Sequence, residues 1–415
     1  MPTNNKPTIG LVVPFLAAGS CGGLQSVASF IKNTIQRSDR YNLKLISPAD
    51  SFKDSCNLRL TKPFTWIRGV TTSVGVWEDH PFIHVGSIAS EFEFQRYLPR
   101  KALTEAVADC DILQVVSGSP ALANSVCGLG KPVALQVATR AKIERNVRDS
   151  NPRSLTDWWR KGMTEITDKL DDIALCKVDA VQVENPWMLN YVKQLTKDNS
   201  CIDLRYAPPG VNAHKFHPLL ERSLNDDAYI LCVCRLNDPR KNIFLLLESY
   251  ALLPQDIKDR VRLVFAGASE PPQKFVERAN SLGLNNRINY ILKPESKKLV
   301  ELYRQATLFA LTSDEEGLGV VLLEAMACGV PVISTRSGGP DGIITDGKDG
   351  YLVPLNNSEI LANRLLILCT NIELNLKMGK LARQTIEERY TEEITGEIFV
   401  NMWDKMLINR KIKLS

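Results

Sequence analysis

The sequence predicts an α/β protein built from two doubly wound, Rossmann-like domains that face each other, each a parallel sheet with helices on both faces. Three observations predict it. Short apolar runs rich in β-branched residues recur along the chain, and segments of helical periodicity fill several of the intervals between them. The alternation breaks once, at RYAPPGVNAHKFHP (residues 205–218), where prolines, a glycine and polar residues mark a linker, and then restarts. The chain has 415 residues, 44% of them hydrophobic, enough for two or three domains that each bury a core.

The elements follow in order. TIGLVVPF, from Thr8 to Phe15, reads as a buried strand, and AAGSCGG, from Ala17 to Gly23, as a small-residue turn. LQSVASFIKNTI carries Leu24, Val27, Phe30, Ile31 and Ile35 on one helical side. Strand, glycine turn and helix together open a doubly wound domain. NLKLISP, DILQVVS, PVALQVA and DAVQVE supply further strands. Beyond the linker, YILCVCRL, VRLVFAG, TLFALTS and PVISTRSGG read as strands, with NIFLLLESYALL and the stretch from Leu299 to Gln305 as helices. This gives domains at 1–204 and 205–388, and a helix of mixed polarity at 389–415 expected to pack back on the first domain. No short-period repeat or low-complexity tract is present. Ligands of such sheets sit at the carboxyl ends of the strands, so a cleft between the two domains is the expected site.

Composition excludes several classes. A formal net charge of +4 on a chain of this size is too weak to argue for a nucleic-acid partner. Ten cysteines without a C-x-x-C or metal-type spacing read as reduced, buried thiols of a cytoplasmic protein, with Cys232 and Cys234 on one face of a strand. No apolar run is long enough to span a bilayer, and the N-terminus lacks a charged region followed by a long apolar core. His80 and His84 are spaced H-x3-H, but Pro81 argues against a helix aiming both at one metal ion.

The most informative stretch is SDEEGLGVVLLEAMACGVPV, residues 313–332. Gly317 and Gly319 allow close backbone approach, and a helix beginning near Gly319 and Val320 directs free N–H groups and a positive dipole end outward, which suits a phosphate. Glu316 stands at the mouth of this turn. Glu324 lies about two turns into the helix among apolar neighbours, where an unpaired carboxylate is costly and fixed donors, such as two vicinal sugar hydroxyls, would suit it. A competing account is that Glu324 is the solvent-facing position of a buried helix, since an E-x7-E spacing arises by chance about once or twice in a chain this long.

Context decides between them. EEGLGVVLLEAMACGVPVISTRSGGPDGIITDGKDGYLVP resembles the signature segment of the family-4 retaining glycosyltransferases, which have the GT-B fold. The E-x7-E motif is Glu316 to Glu324. The resemblance covers 205–390: PPGVNAHKFHP is similar to the family's linker, RLNDPRKN to its basic phosphate-binding segment, and LVELYRQATLFALTS to the helix and strand before the motif. The N-terminal half is similar mainly at its glycine-rich first loop.

The resemblance implies a hexosyl-type transfer from a nucleoside-diphosphate-sugar to an acceptor hydroxyl of a glycan, lipid-linked sugar or small glycoside. Glu324 would bind the donor's ribose hydroxyls, and Glu316 would contact sugar hydroxyls beside the reacting carbon. Gly319, Val320 and Val321 would offer backbone N–H groups. Arg235 and Lys241, six apart across a proline-containing turn, would converge on the diphosphate, whose charge grows as the glycosidic bond breaks, with Arg240 as the alternative to Lys241. Gly22 and Gly23 end the first strand and would let backbone N–H groups approach a phosphate, and Gly338 and Gly339 either do the same or form a plain turn. No D-x-D pair stands at a strand end, since DCD at 109–111 precedes one, so no metal or other cofactor is expected. The absence of a second carboxylate base fits the one-face mechanism ascribed to the family, unlike a retaining glycosidase.

Two features depart from the family pattern or add to it. Many relatives carry a histidine where QVATRAKIER places Ala138 and Thr139; its absence leaves the donor sugar open and keeps an inactive nucleotide-sugar-binding module as an alternative, while it weighs against the enzymatic rivals, a sugar-nucleotide epimerase or a phosphorylase. TRAKIERNVRDSNPRSLTDWWRKGM sets Arg140, Lys142, Arg145, Arg148, Arg153, Arg160 and Lys161 beside Trp158 and Trp159. It reads as a membrane-facing surface at the inner face, as a platform for acceptor sugar rings, or as a solvated basic segment with packed tryptophans.

Overall fold

A computed structural model of the chain describes residues 6–17, 22–197, 202–219 and 228–414, with side chains to 410. Residues 18–21 of the expected glycine-rich turn, and the basic side chains beyond 410, lie outside the described residues. The chain forms two compact units, 1–209 with 395–415, and 210–394.

Among the described residues of the N-terminal unit, eight strands form one sheet: β1 (Thr8–Val12), β2 (Asn42–Pro48), β3 (Thr72–Trp77), β4 (His80–Val85), β5 (Ile112–Val116), β6 (Val133–Val137), β7 (Ala180–Val183) and β8 (Asp203–Tyr206). The order is β3-β4-β2-β1-β5-β6-β7-β8. Every pair is parallel except β3 on β4. β5, β6 and β7 are buried at every position, as strands covered on both faces must be. The β3–β4 hairpin has no counterpart in the sequence reading. Its turn is Glu78-Asp79, both with positive φ, in place of the Asn-Gly pair that marks such turns, and its Val74 and Val76 face solvent.

The helix Gly23–Ser38 buries Val27, Phe30, Ile31 and Ile35 against this sheet. The C-terminal helix, Glu392–Leu414, adds Phe399, Met402 and Trp403 to the same core. Phe399 meets Phe30 at 5.3 Å edge to face, and the Trp403 indole N–H donates to Gln114 Oε1 on β5 at 2.8 Å.

Among the described residues, the C-terminal unit has six parallel strands: β9 (Ala228–Val233), β10 (Val261–Gly267), β11 (Ile288–Leu292), β12 (Leu308–Leu311), β13 (Val332–Thr335) and β14 (Gly350–Val353). Their order is β11-β10-β9-β12-β13-β14. Counted within the unit this is the doubly wound order 3-2-1-4-5-6. The winding reverses between β9 and β12, so the carboxyl ends of those two strands flank the switch point where such sheets bind ligands. One face packs Leu246, Tyr250, Phe265 and Phe275; the other packs Leu231, Phe309, Leu322 and Met326.

Candidate active site

The loops leaving β9 and β12 carry the residues that the sequence singles out. After β9 the chain makes a short turn, Pro239–Lys241, capped by Asp238, whose Oδ1 accepts from the Arg240 N–H at 3.1 Å. Asn242, at φ 40°, then caps the helix Ile243–Ala251 by accepting from the Leu245 N–H at 3.3 Å. The β12 loop is stitched to this turn. The Asp314 N–H donates to the Arg240 carbonyl at 2.7 Å, Thr312 Oγ1 to the Lys241 carbonyl at 3.2 Å, and the Asn242 amide to Asp314 at 2.7 Å.

That stitching sets Lys241 Nζ 2.6 Å from Glu316 Oε2, both side chains 14% exposed. Ser313 Oγ donates to the same oxygen at 2.8 Å. Burial pulls the Lys241 pKa down, but the adjacent Glu316 charge and its hydrogen bond outweigh this and hold the ammonium above its ordinary value. Glu316 is also fixed through its backbone: its N–H donates to the Ser337 carbonyl at 2.9 Å, and its carbonyl accepts from Gly339 at 2.8 Å.

The two cations expected to converge do not share this pair. Arg235 is 59% exposed and donates to Asp238 at 2.8 Å, because the turn brings that carboxylate back beneath it. Arg240 is held between Asp238 at 2.9 Å and Glu315 at 3.1 Å. Burial raises the Asp238 pKa, but hydrogen bonding and charge from Arg240, with Arg235 behind it, bring it net below the usual range. Lys241 is thus the cation at Glu316, and Arg240 braces the loop.

Glu324 is the fifth residue of the helix Val320–Ala327, little more than one turn in rather than two. Tyr303, buried in the helix Ser296–Gln305, donates its O–H to Glu324 Oε2 at 2.7 Å. Burial pushes the Glu324 carboxyl up to about 7, against the Tyr303 hydrogen bond, which favours the ionised form. Gly319, at φ 88°, caps the helix without a side chain, so the first-turn N–H groups of Val320 and Val321 have no capping acceptor. The left-handed backbone explains the glycine.

Gly338 and Gly339 do not extend this array. The Gly338 N–H donates to Asp341 at 3.0 Å and that of Gly339 to the Glu316 carbonyl. Gly339 is required by close approach instead: a Cβ there would lie 2.5 Å from the Leu318 backbone. In the N-terminal unit, Gly22 precedes the uncapped helix start at Gly23, where a Cβ would meet open space.

Ser313, Tyr303, Asp238 and Glu315 escaped sequence reasoning. The run DEE carries a signal for charge clustering, whereas Tyr303 reads as an ordinary core aromatic of an amphipathic helix. Asp171 escaped too. It is fully buried on the helix Leu155–Lys177 and accepts from Ser119 Oγ at 2.5 Å and from the Ala121 and Ala141 N–H groups at 2.8 Å each. It therefore ties together the segments that follow β5 and β6. Burial pushes its carboxyl up to about 6 against those bonds. Thr139 is buried with its hydroxyl unpartnered.

The basic run at 140–161 is largely consumed internally. Arg140 pairs with Asp168 and Asp172, Arg145 with Glu93 and Arg148 with Asp149. Trp158 and Trp159 remain exposed rather than packed in the core.

The pattern of the family described as glycosyl transferases group 1 matches residues 221–385. A probable sucrose-phosphate synthase of Thermosipho melanesiensis is 31% identical over 208 residues, 48% of this chain and 46% of that protein. A D-inositol 3-phosphate glycosyltransferase of Corynebacterium urealyticum is 28% identical over 210 residues, 47% of this chain and 49% of that one. The matched stretch thus spans about half the length of these curated relatives. In structure, a sucrose-phosphate synthase from Thermosynechococcus elongatus superposes with a TM-score of 0.69 at 17% identity, over 97% of this chain and 100% of that one. HepE of Anabaena, solved in complex with UDP-glucose, gives 0.67 at 15% identity over 96% and 99%. The fold is GT-B.

Proposed function

From the premise that residues 221–385 are a glycosyl transferases group 1 domain, we propose that this protein is a retaining, metal-independent glycosyltransferase. It moves a hexosyl-type sugar from a nucleoside-diphosphate-sugar to an acceptor hydroxyl, with the N-terminal unit recognising the acceptor. The observation that carries the reading is the Lys241–Glu316 pair, fixed on the two loops that flank the switch point of the C-terminal sheet.

The proposed roles follow from chemistry. Lys241, assisted by the more exposed Arg235, neutralises the diphosphate as the anomeric C–O bond breaks, which stabilises the transition state more than the ground state. The uncapped N–H groups of Gly319, Val320 and Val321 face the same negative charge. Glu316 accepts from sugar hydroxyls, and Glu324 from the ribose hydroxyls with the oxygen that Tyr303 leaves available. The acceptor oxygen forms its bond on the face the diphosphate leaves. Its proton passes to the departing phosphate oxygen, so no separate carboxylate base is needed.

We also place peripheral membrane contact in the N-terminal unit, at a broader surface than residues 140–163. Trp158 is 60% exposed, and the ring of its neighbour Trp159 packs at a tilt against Phe92, centroids 5.5 Å apart. Glu91, next to Phe92, accepts from Thr61 at 2.7 Å, which brings the helix Phe64–Arg68 alongside, with Ile67 95% exposed. Exposed aromatics with Lys161 over the Trp158 ring suit an interfacial region. No described helix is long and apolar enough to cross a membrane.

Calorimetric titration of the protein with UDP-, GDP- and ADP-sugars, followed by nucleotide release, tests the proposal. Binding of one donor that weakens in Lys241→Ala and Glu324→Ala is expected. Failure to bind any nucleotide-sugar overturns it.

A further inference from the structure

In the N-terminal unit, one oxygen, one sulfur and one nitrogen ligand atom, from Asp54, Cys56 and His84, lie within 4.8 Å of one another. His84 sits near the carboxyl end of β4; the other two lie on the loop that follows β2. We propose that these three side chains bind one zinc ion, which fastens the loop to the β3–β4 hairpin. The inference is independent of the transferase reading.

The donor atoms are already close together. His84 Nε2 is 2.8 Å from Asp54 Oδ2, while the other Asp54 oxygen accepts from the Cys56 N–H at 2.8 Å and so fixes the carboxylate's orientation. In a tetrahedral zinc site with bonds of about 2.0–2.3 Å, neighbouring donor atoms stand roughly 3.3–3.7 Å apart, a spacing these atoms reach with small side-chain rotations. The nearest candidate for the fourth position is Ser73, which pairs with His84 across the hairpin and whose hydroxyl lies 3.7 Å from the Cys56 sulfur; a water would serve equally.

The loop is rigid where it needs to be. Asn57, fully buried, donates to the Ser51 carbonyl at 2.8 Å and accepts from the Ser87 N–H at 2.8 Å. The Cys56 carbonyl accepts from Thr71 at 3.1 Å and presses on Gly86, where a Cβ would come within 2.0 Å of it. A preorganised loop loses little entropy on taking an ion. The donor chemistry selects the metal: thiolate and imidazole suit zinc and disfavour magnesium or calcium. A plain Asp54–His84 pair, with the Cys56 thiol donating to Ser73 Oγ at 3.7 Å, is the rival account that the test must exclude. His80, which the sequence spacing pairs with His84, is not a ligand; its Nε2 lies 2.6 Å from the Gln36 amide.

The test uses tag-free protein from zinc-supplemented medium. Elemental analysis should find about one zinc per chain. The content should drop at least about tenfold in Cys56→Ser and His84→Gln but not in Cys176→Ser, a change at an exposed thiol. Titrating metal-stripped wild-type protein with cobalt(II) needs no variant. A near-ultraviolet thiolate-to-cobalt band should grow and saturate at about one equivalent. A chelator should lower the thermal midpoint of the wild type and leave Cys56→Ser unmoved. Wild-type protein that holds no zinc and gives no thiolate–cobalt band overturns the proposal.

Discussion

Lys241 Nζ meets Glu316 Oε2 at 2.6 Å, although the two residues lie on different loops 75 positions apart. The partly buried pair joins the structural and the chemical case for the C-terminal unit. Lys241→Ala should cut kcat by about 10²-fold or more, because the cation acts on charge that develops in the transition state. It should also cost stability, since Glu316 is left with Ser313 as its side-chain donor. Glu316→Gln with Lys241→Met should destabilise less than the sum of the two single changes. Chemical denaturation of the four proteins measures this coupling, and strict additivity would refute the pairing.

Glu324 titrates at about 7 because burial opposes its charge. If it receives the donor's hydroxyls as a carboxylate, donor affinity should rise with pH through about 7 and level off above it. Tyr303→Phe removes a hydrogen bond that favours the ionised form, so the midpoint should move to higher pH. Titrations from about pH 5.5 to about pH 8.5 check both statements, and a flat profile in the wild type contradicts the role.

Gly339→Ala should destabilise the protein by about 1–3 kcal/mol, since the new methyl must displace the Leu318 backbone. The same shift moves Glu316, whose carbonyl accepts from residue 339, so donor binding should weaken with it. Gly23→Ala, where a Cβ meets open space, is the control expected to fold normally.

Glu184, 5% exposed, is pushed up to about 7 by burial, against a hydrogen bond from Gln136. A carboxyl raised on folding binds its proton more tightly in the native state. Its unfavourable contribution is therefore absent below the unfolded pKa, grows as pH rises from about 4.5 to about 7, and is complete above that. Glu184→Gln should leave stability unchanged near pH 4.5 and raise it by up to about 3 kcal/mol at pH 8. Denaturation midpoints of the two proteins across this range decide it; parallel curves would rule out the titration.

Trp158→Ala with Trp159→Ala should reduce sedimentation with anionic vesicles several-fold and leave nucleotide-sugar binding unaltered. Vesicle binding equal to wild type would remove the membrane assignment while leaving the transferase reading intact.

The linker expected from 205 begins only after β8, which takes in Arg205 and Tyr206, but the amino-acid sequence by itself determined the alternation of strands and helices and the glycine-flanked helix that carries Glu324 behind the Glu316 turn. Those depend on local patterns: runs of buried residues, helical spacing and turn residues. The hairpin of β3 and β4 was illegible, because Glu78-Asp79 lacks the turn residues that mark it and its valines face solvent. Only the tertiary structure decided the partners of the charges. Arg235 and Lys241 look equivalent in RLNDPRKN, yet one returns to Asp238 and the other reaches Glu316. His84 shares a spacing with His80 but shares space with Asp54 and Cys56. Charge pairing depends on distance, and distance between residues remote in sequence is set by which strands lie side by side in the sheet.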